Sequence, residues 1–318
     1  MKISVEKAAT VLKAGDIVAI PTETVYGLAA LASDKKAVAK IFAKKGRPCS
    51  NPLIIHLAKA LDIIAYVEEL PQLFFVLTKA FWPGPLTLVL PIIESKIDPS
   101  IRANLKTAAF RVPDHPLARQ VLNLAGPLVM PSSNPSGSPS ATAAVHVEDD
   151  FGVNFPVLDG GDCLLGLEST ILYLDENECW KIIRQGAISQ SALANVLGYT
   201  PEIEILNKNQ QTPLCPGQLF RHYAPKARLH LIEKFNVEKF NLNEQLVIIG
   251  FEDRKYPDNS RLYSLGKSND DKMAATRLYS VLRKLDTDDV KIAHVDINFQ
   301  DHGLWKTIKE RLIKASQP

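Results

Sequence analysis

Helix-period and strand-length apolar segments alternate along the 318 residues, which predicts an α/β protein in two parts, a layered sheet domain followed by a smaller α/β domain. Three observations carry that expectation. The alternation starts at the first residues and resumes after a single break. The break, residues 199–228, loses all periodicity, and its stretch NKNQQTPLCPGQLFRHYAPKAR mixes amides, prolines and basic residues as linkers do. With 46% hydrophobic residues the chain also has material for two cores, at about 150 residues per domain.

Taken in order, Val5, Ala8, Ala9 and Leu12 recur at helical spacing behind Ser4 as N-cap, and Gly15 closes that helix before a strand over 17–20. A helix over 35–45, a strand over 53–57 and helical stretches through Trp82 follow. Short apolar runs at 86–90, 109–112 and 128–130 read as strands. Residues 169–174 and 179–184 flank Asp175, Glu176 and Asn177 as a hairpin, and Ser189 caps a helix that ends at Gly198. That helix closes a first domain, 1–198; the linker occupies 199–228, and the second domain 229–318. The second domain has strands at 229–233, 246–251, 262–265 and 292–297, with helices around 273–285 and 304–313, a small Rossmann-like unit. No GxGxxG follows its first strand, so it is assigned no dinucleotide.

The charges balance, 37 Lys+Arg against 35 Asp+Glu, so any basic site is local and a histone-like coat or acidic tail is excluded. Cys49, Cys163, Cys179 and Cys215 are too scattered for a CxxC knuckle, which argues against structural zinc and a disulfide framework. The start MKISVEKAATVLKAGD carries Glu6 and Asp16 and lacks the apolar core of a signal peptide. No run approaches the roughly 18 apolar residues of a membrane span. A cytoplasmic protein without membrane attachment is expected.

No Walker GxxxxGK[ST] motif occurs, so a nucleotide would be held by other means. Three polar clusters are candidates. In PTETVYGLA (21–29), Thr22, Glu23, Thr24 and Tyr26 leave a buried-looking strand together, at the kind of strand end where α/β proteins bind ligands; a capped turn is the plainer reading. In KKGRPCSNPLIIH (44–56), Lys45 and Arg47 flank a glycine, with Asn51 and His56 beyond. This is either an ordinary helix C-terminus or a turn that neutralises a polyphosphate. In MPSSNPSGSPSAT (130–142), Ser132 and Asn134 offer adjacent donors to a carboxylate or phosphate, unless the segment is a flexible loop. Arg111 and Arg184 each end an apolar strand-like run and need an anionic partner, either Asp114 or Glu168 internally or a bound carboxylate or phosphate.

Together PTETVYGLA, the KxR turn with NPLIIH, WPGPLTLVL, FRVPDHP, the SxN loop, LEST and IIRQG occur in the order of the YrdC-like family, and the chain resembles the L-threonylcarbamoyl-AMP synthases within it. These motifs span residues 21–186. PGQLFRHYAP (216–225) and the α/β domain after it resemble the two-domain form, so the resemblance covers nearly the whole chain. It implies a YrdC-like twisted mixed sheet, and condensation of ATP, L-threonine and bicarbonate into threonylcarbamoyl-AMP and pyrophosphate for threonylcarbamoyladenosine in tRNA. By motif position Thr24, His56, Arg111, Ser132 and Ser169 would contact threonine. Arg47, Asn51, Thr107, Asn134, Thr142, Arg184 and His222 or Tyr223 would contact ATP, and Lys45 with Arg47 would form the catalytic cation pair. Ser133 stands where the family often has alanine. Mg²⁺ is expected with ATP, and tRNA and a downstream threonylcarbamoyl-transferase complex are expected partners. Arg221, His222 and Tyr223 suggest a linker that closes over the nucleotide. The competing reading is a non-catalytic module that binds double-stranded RNA or tRNA; a carbamoyl-transfer domain acting on protein is a third.

Overall fold

The computed structural model describes residues 1–204, 213, 222–233 and 245–317. The chain divides into two compact units, Met1–Ser136 with Ala141–Leu219, and Gly137–Ser140 with Phe220–Pro318.

The first unit opens on helix α1 (Val5–Lys13), whose N-cap Ser4 accepts the Lys7 amide and whose buried residues are the predicted Val5, Ala8, Ala9 and Leu12. Strands β1 (Val18–Ile20) and β2 (Gly27–Leu31) precede α2 (Lys35–Lys45), which starts at Asp34 and stops at Gly46, where φ is 60°. Only a residue without a Cβ takes that left-handed conformation cheaply, and it frees the chain to turn into Arg47. Then come β3 (Ile54–His56), α3 (Phe74–Phe81), β4 (Leu86–Pro91), β5 (Thr107–Arg111), α4 (Pro116–Ala125), β6 (Leu128–Val129), α5 (Ala144–Phe151), β7 (Thr170–Leu174), β8 (Trp180–Arg184) and α6 (Gln190–Leu197).

The eight strands form one mixed sheet, ordered β1-β2-β6-β3-β5-β4-β7-β8, in which β3 runs parallel to β5 and β4 parallel to β7. One face carries the main core, where α2, α3 and α6 bury Ile41, Phe74 and Leu193 against Ile55, Phe110 and Leu172. On the other face α1 and α4 cover β1, β2 and β6 through Leu12, Val121, Val18 and Leu128. The strands beyond, β3, β5, β4, β7 and β8, contribute Ile54, Ala109, Val89, Ile171 and Ile183 to a cluster made of strand residues alone.

The second unit is a parallel sheet ordered β11-β10-β12-β9, from β9 (Arg228–Ile232), β10 (Leu246–Gly250), β11 (Ser260–Ser264) and β12 (Ile292–Asp296), with helices α7 (Asp271–Thr287) and α8 (Leu304–Ser316). This is the expected small Rossmann-like arrangement. Inside it, Tyr223 stacks on Tyr279 with centroids 5.5 Å apart, and the Arg311 guanidinium lies 4.8 Å from the Tyr223 ring. Arg283 donates to the carbonyls of Pro139 and Ser140, at 2.7 and 3.2 Å. Among the described residues no helix is long and apolar enough to cross a membrane.

Candidate active site

Side chains alternate across a strand, so every second residue of β3, β4 and β5 faces the strand-only cluster. The register sets His56 opposite Arg111, and Ile54 opposite Ala109. Thr107, Ala109 and Arg111 therefore share a face, as do Thr87 and Val89 on β4. Polar groups thus surround a small apolar floor.

Arg111 is the hub on one side. Its Nη2 donates to Glu23 Oε1 at 2.6 Å and to Thr24 Oγ1 at 3.0 Å, and its Nε to the Gly84 carbonyl at 3.2 Å. The internal partner is thus Glu23, not Asp114 or Glu168. Thr22 Oγ1 lies 2.8 Å from Thr24 Oγ1 and accepts the Thr24 and Val25 amides, fixing the turn that presents Glu23. Both members of the ion pair have side chains 5% exposed. Such a pair adds little net stability for its desolvation, and losing one partner costs about 3–5 kcal/mol. His56 is buried beside it. Desolvation, and then the Arg111 charge, hold the imidazole well below its ordinary pKa, so it is neutral. Its Nδ1 lies 3.2 Å from the Ile54 carbonyl, which only accepts, so Nδ1 carries the hydrogen and Nε2 is left as an acceptor.

On the other side Thr87 Oγ1 and Ser169 Oγ are 2.7 Å apart, and Arg184 Nη2 donates to Ser169 Oγ at 3.0 Å and to the Ser169 carbonyl at 2.9 Å. A bulge sets the aim of Arg184. Leu172 pairs with Ile182, but Ile171 pairs with Arg184, so Ile183 is an extra residue. Regular pairing would set Ile171 against Ile183 and turn Arg184 to the helix-covered face; the bulge brings both to the site face. Gly186 follows because a Cβ there would lie 2.4 Å from the backbone of Glu168, Ser169 and Thr170.

Lys45 and Arg47 are 4% and 8% exposed, not the solvated basic stripe an RNA backbone needs. Lys45 Nζ donates to the carbonyls of Ser132 and Asn134, and the Ser136 amide donates to the Lys45 carbonyl at 2.8 Å, so the end of α2 grips the SxN loop. Arg47 Nε and Nη2 donate to the carbonyls of Asn51 and Pro52, at 3.2 and 2.8 Å. Asn51 is 1% exposed, and neither atom of its side-chain amide has a partner. Ser133, where the resemblance led us to note a departure, is fully buried with an unpartnered Oγ. Unsatisfied buried polar atoms cost about 1–3 kcal/mol each, so these call for an ordered water, an ion or a bound ligand as partner.

The predicted residues thus gather into linked groups: Thr24, Arg111 and His56; Ser169 and Arg184; Lys45, Ser132 and Asn134; Arg47 and Asn51. Thr107 is half-buried at the opposite end of β5 from Arg111, about 13 Å along the strand. Thr142 is buried, its amide donating to His146 Nδ1 at 3.2 Å. Tyr223 is packed inside the second unit at φ 66°, and His222 meets its ring edge-on at 5.5 Å. Arg221 and most of the expected lid lie outside the described residues. Two groups were not picked out as site residues. Glu23 stood inside a noted motif without a role, and Thr87 is a hydroxyl in an otherwise apolar strand run, which was the available signal.

A family model named for Sua5, YciO and YrdC, and described as "Telomere recombination", matches residues 10–186; a second, "Threonylcarbamoyl-AMP synthase, C-terminal domain", matches 188–317. The threonylcarbamoyl-AMP synthase of Bacillus subtilis is 35% identical over 322 residues, covering 98% of this chain and 92% of that one. That of Pyrococcus abyssi is 37% identical, with 97% and 93% covered. The crystal structure of P. abyssi Sua5 complexed with L-threonine matches at a TM-score of 0.88 and 34% identity, covering 98% of this chain and 94% of that one. Escherichia coli YciO, at 20% identity and a TM-score of 0.51 over 57% of this chain and 88% of its own, shares the fold of that part.

Proposed function

The chain belongs to the Sua5, YciO and YrdC family, and on that footing we propose that it is an L-threonylcarbamoyl-AMP synthase, making threonylcarbamoyl-AMP and pyrophosphate from ATP, L-threonine and bicarbonate. The observation that carries the reading is a pair of buried networks, Thr24 with Arg111 and Ser169 with Arg184, whose arginines flank the same sheet face. Those residues belong to the set that the family resemblance assigns to the two substrates.

The chemistry needs what this face supplies. Threonine's amine takes up bicarbonate to give a carbamate, whose oxygen must approach the α-phosphorus of an anionic triphosphate. In our reading Lys45, Arg47 and Arg184 lower the repulsion between the two anions and stabilise charge developing on pyrophosphate, and Lys45 also fixes the loop bearing Ser132 and Asn134. Thr24, His56, Arg111, Ser132 and Ser169 hold threonine. Asn51, Thr107, Asn134 and Thr142 hold ATP. The neutral His56 offers Nε2 to the threonine hydroxyl, an acceptor that valine leaves unpaired. Mg²⁺ would enter with the triphosphate, with phosphate oxygens and water as its ligands, because no group of three or more His, Cys, Asp or Glu gathers among the described residues. The product would serve tRNA modification through a downstream threonylcarbamoyl-transferase complex, in the cytoplasm, and residues 1–198, 199–228 and 229–318 would act as catalytic domain, linker and second domain.

The test is turnover. Purified protein given ATP, threonine and bicarbonate should release pyrophosphate and form the adenylate only when threonine is present; RNA binding without threonine-dependent pyrophosphate would overturn the proposal.

A further inference from the structure

The contact between Glu23 and Arg111 is single where it has room to be double. A guanidinium and a carboxylate commonly form two parallel hydrogen bonds, which engage both oxygens and two nitrogens. Here Nη2 alone reaches Oε1, and Nε is spent on the Gly84 carbonyl. Nη1 makes no hydrogen bond, and Oε2 is a buried carboxylate oxygen with no partner. One ion pair therefore presents an unused cationic donor and an unused anionic acceptor.

We propose that Glu23 is a substrate-binding residue whose Oε2 accepts the α-ammonium of the amino-acid substrate, while Arg111 Nη1 takes the α-carboxylate. The inference rests on the threonine reading above. An α-amino acid is a zwitterion, and the singly bonded pair is its complement in charge and in hydrogen-bonding sense. Glu23 and Glu168 are the buried carboxylates of the first unit among the described residues, and Glu168 is engaged elsewhere. His115 Nδ1 is a further buried atom without a partner, on a ring that feels the Glu23 charge and bonds to the Gly160 backbone. Donors are what this corner lacks, and an ammonium brings three. The anchor also outlasts the charge, since the carbamate nitrogen keeps an N–H for Oε2 after bicarbonate is taken up.

Calorimetry with two ligands tests this, L-threonine and 3-hydroxybutanoate, which keeps the carboxylate and hydroxyl and lacks the ammonium. The wild-type protein must first bind threonine; if it does not, the functional reading fails and the role of Glu23 never arises. Given that binding, E23Q should weaken threonine at least tenfold and the hydroxy acid less than twofold, with ATP affinity unchanged. Equal loss for both ligands would reduce Glu23 to a support for Arg111 and overturn the proposal, as would no loss for either. Should E23Q melt early, E23D carries the same comparison, because it retains a counterion for Arg111 but withdraws Oε2 by one methylene; the same two outcomes would overturn the idea.

Discussion

The neutral, buried His56 makes the stability of the first unit depend on pH in a calculable way. The unfolded chain takes up a proton near pH 6.5 that the folded imidazole refuses, because desolvation and the Arg111 charge hold its pKa well below that value. This contribution is whole above the ordinary pKa and is lost as pH falls toward the depressed one. The slope is about 1.4 kcal/mol per pH unit, so moving from pH 7.5 to 5.5 should remove about 1.4 kcal/mol through His56 alone. The depressed His115 of the same unit adds its own acid sensitivity, so the comparison must be with a variant. His56→Asn can retain a donor to the Ile54 carbonyl but cannot titrate. Urea unfolding followed by the fluorescence of Trp82 and Trp180, both buried in the first unit, in a Trp305→Phe background that silences the second, reads the transition. The stability difference between wild type and H56N should shift by about 1.4 kcal/mol between the two pH values. A constant difference would mean that His56 protonates normally in the fold, and the account of a neutral acceptor would be wrong.

Four further outcomes are expected. Arg47→Ala and Arg184→Ala should each lower kcat/KM for ATP at least about tenfold, roughly 1.4 kcal/mol of transition-state stabilisation, in steady-state pyrophosphate release; folded variants with wild-type turnover would remove those arginines from the mechanism. Ser132→Ala should raise the KM for threonine more than for ATP, and equal changes would make the hydroxyl structural. Valine should turn over orders of magnitude more slowly than threonine, because the hydroxyl acceptor is left unpaired; comparable rates would count against the pocket. Gly186→Ala should lower the first unit's urea midpoint by the equivalent of about 1–3 kcal/mol, since its Cβ would meet backbone rather than a movable side chain; an unchanged midpoint would show that this turn can yield.

What could be read from the chain was local. Ser4 and Ser189 as helix starts, Gly198 as a helix end, and the hairpin around Asp175 follow from short-range chemistry, and the structure has each. Strand β2 was not foreseen: GLAAL is nearly all buried, so it lacks alternation, and glycine and alanine are weak strand formers. Nor was α4, which begins at Pro116 directly after the Arg111 motif. The ion pair of Glu23 with Arg111 joins residues 88 apart, and its geometry depends on β6 inserting between β2 and β3. Motif order indicated which residues matter, whereas which of them touch is a property of the sheet.

The extra residue in β8 lets one strand turn two neighbouring side chains, Ile183 and Arg184, toward the same layer. Replacing Ile183 with another apolar side chain leaves the bulge in place, whereas loss of its codon would set Arg184 opposite Ile171 in regular pairing, still on the site face, and strip one apolar side chain from the floor beneath it. Among homologous genes, this short stretch should accept loss of the extra residue with the arginine still facing the site, whereas a strand that keeps the residue but pairs without the bulge would turn that arginine to the helix-covered face.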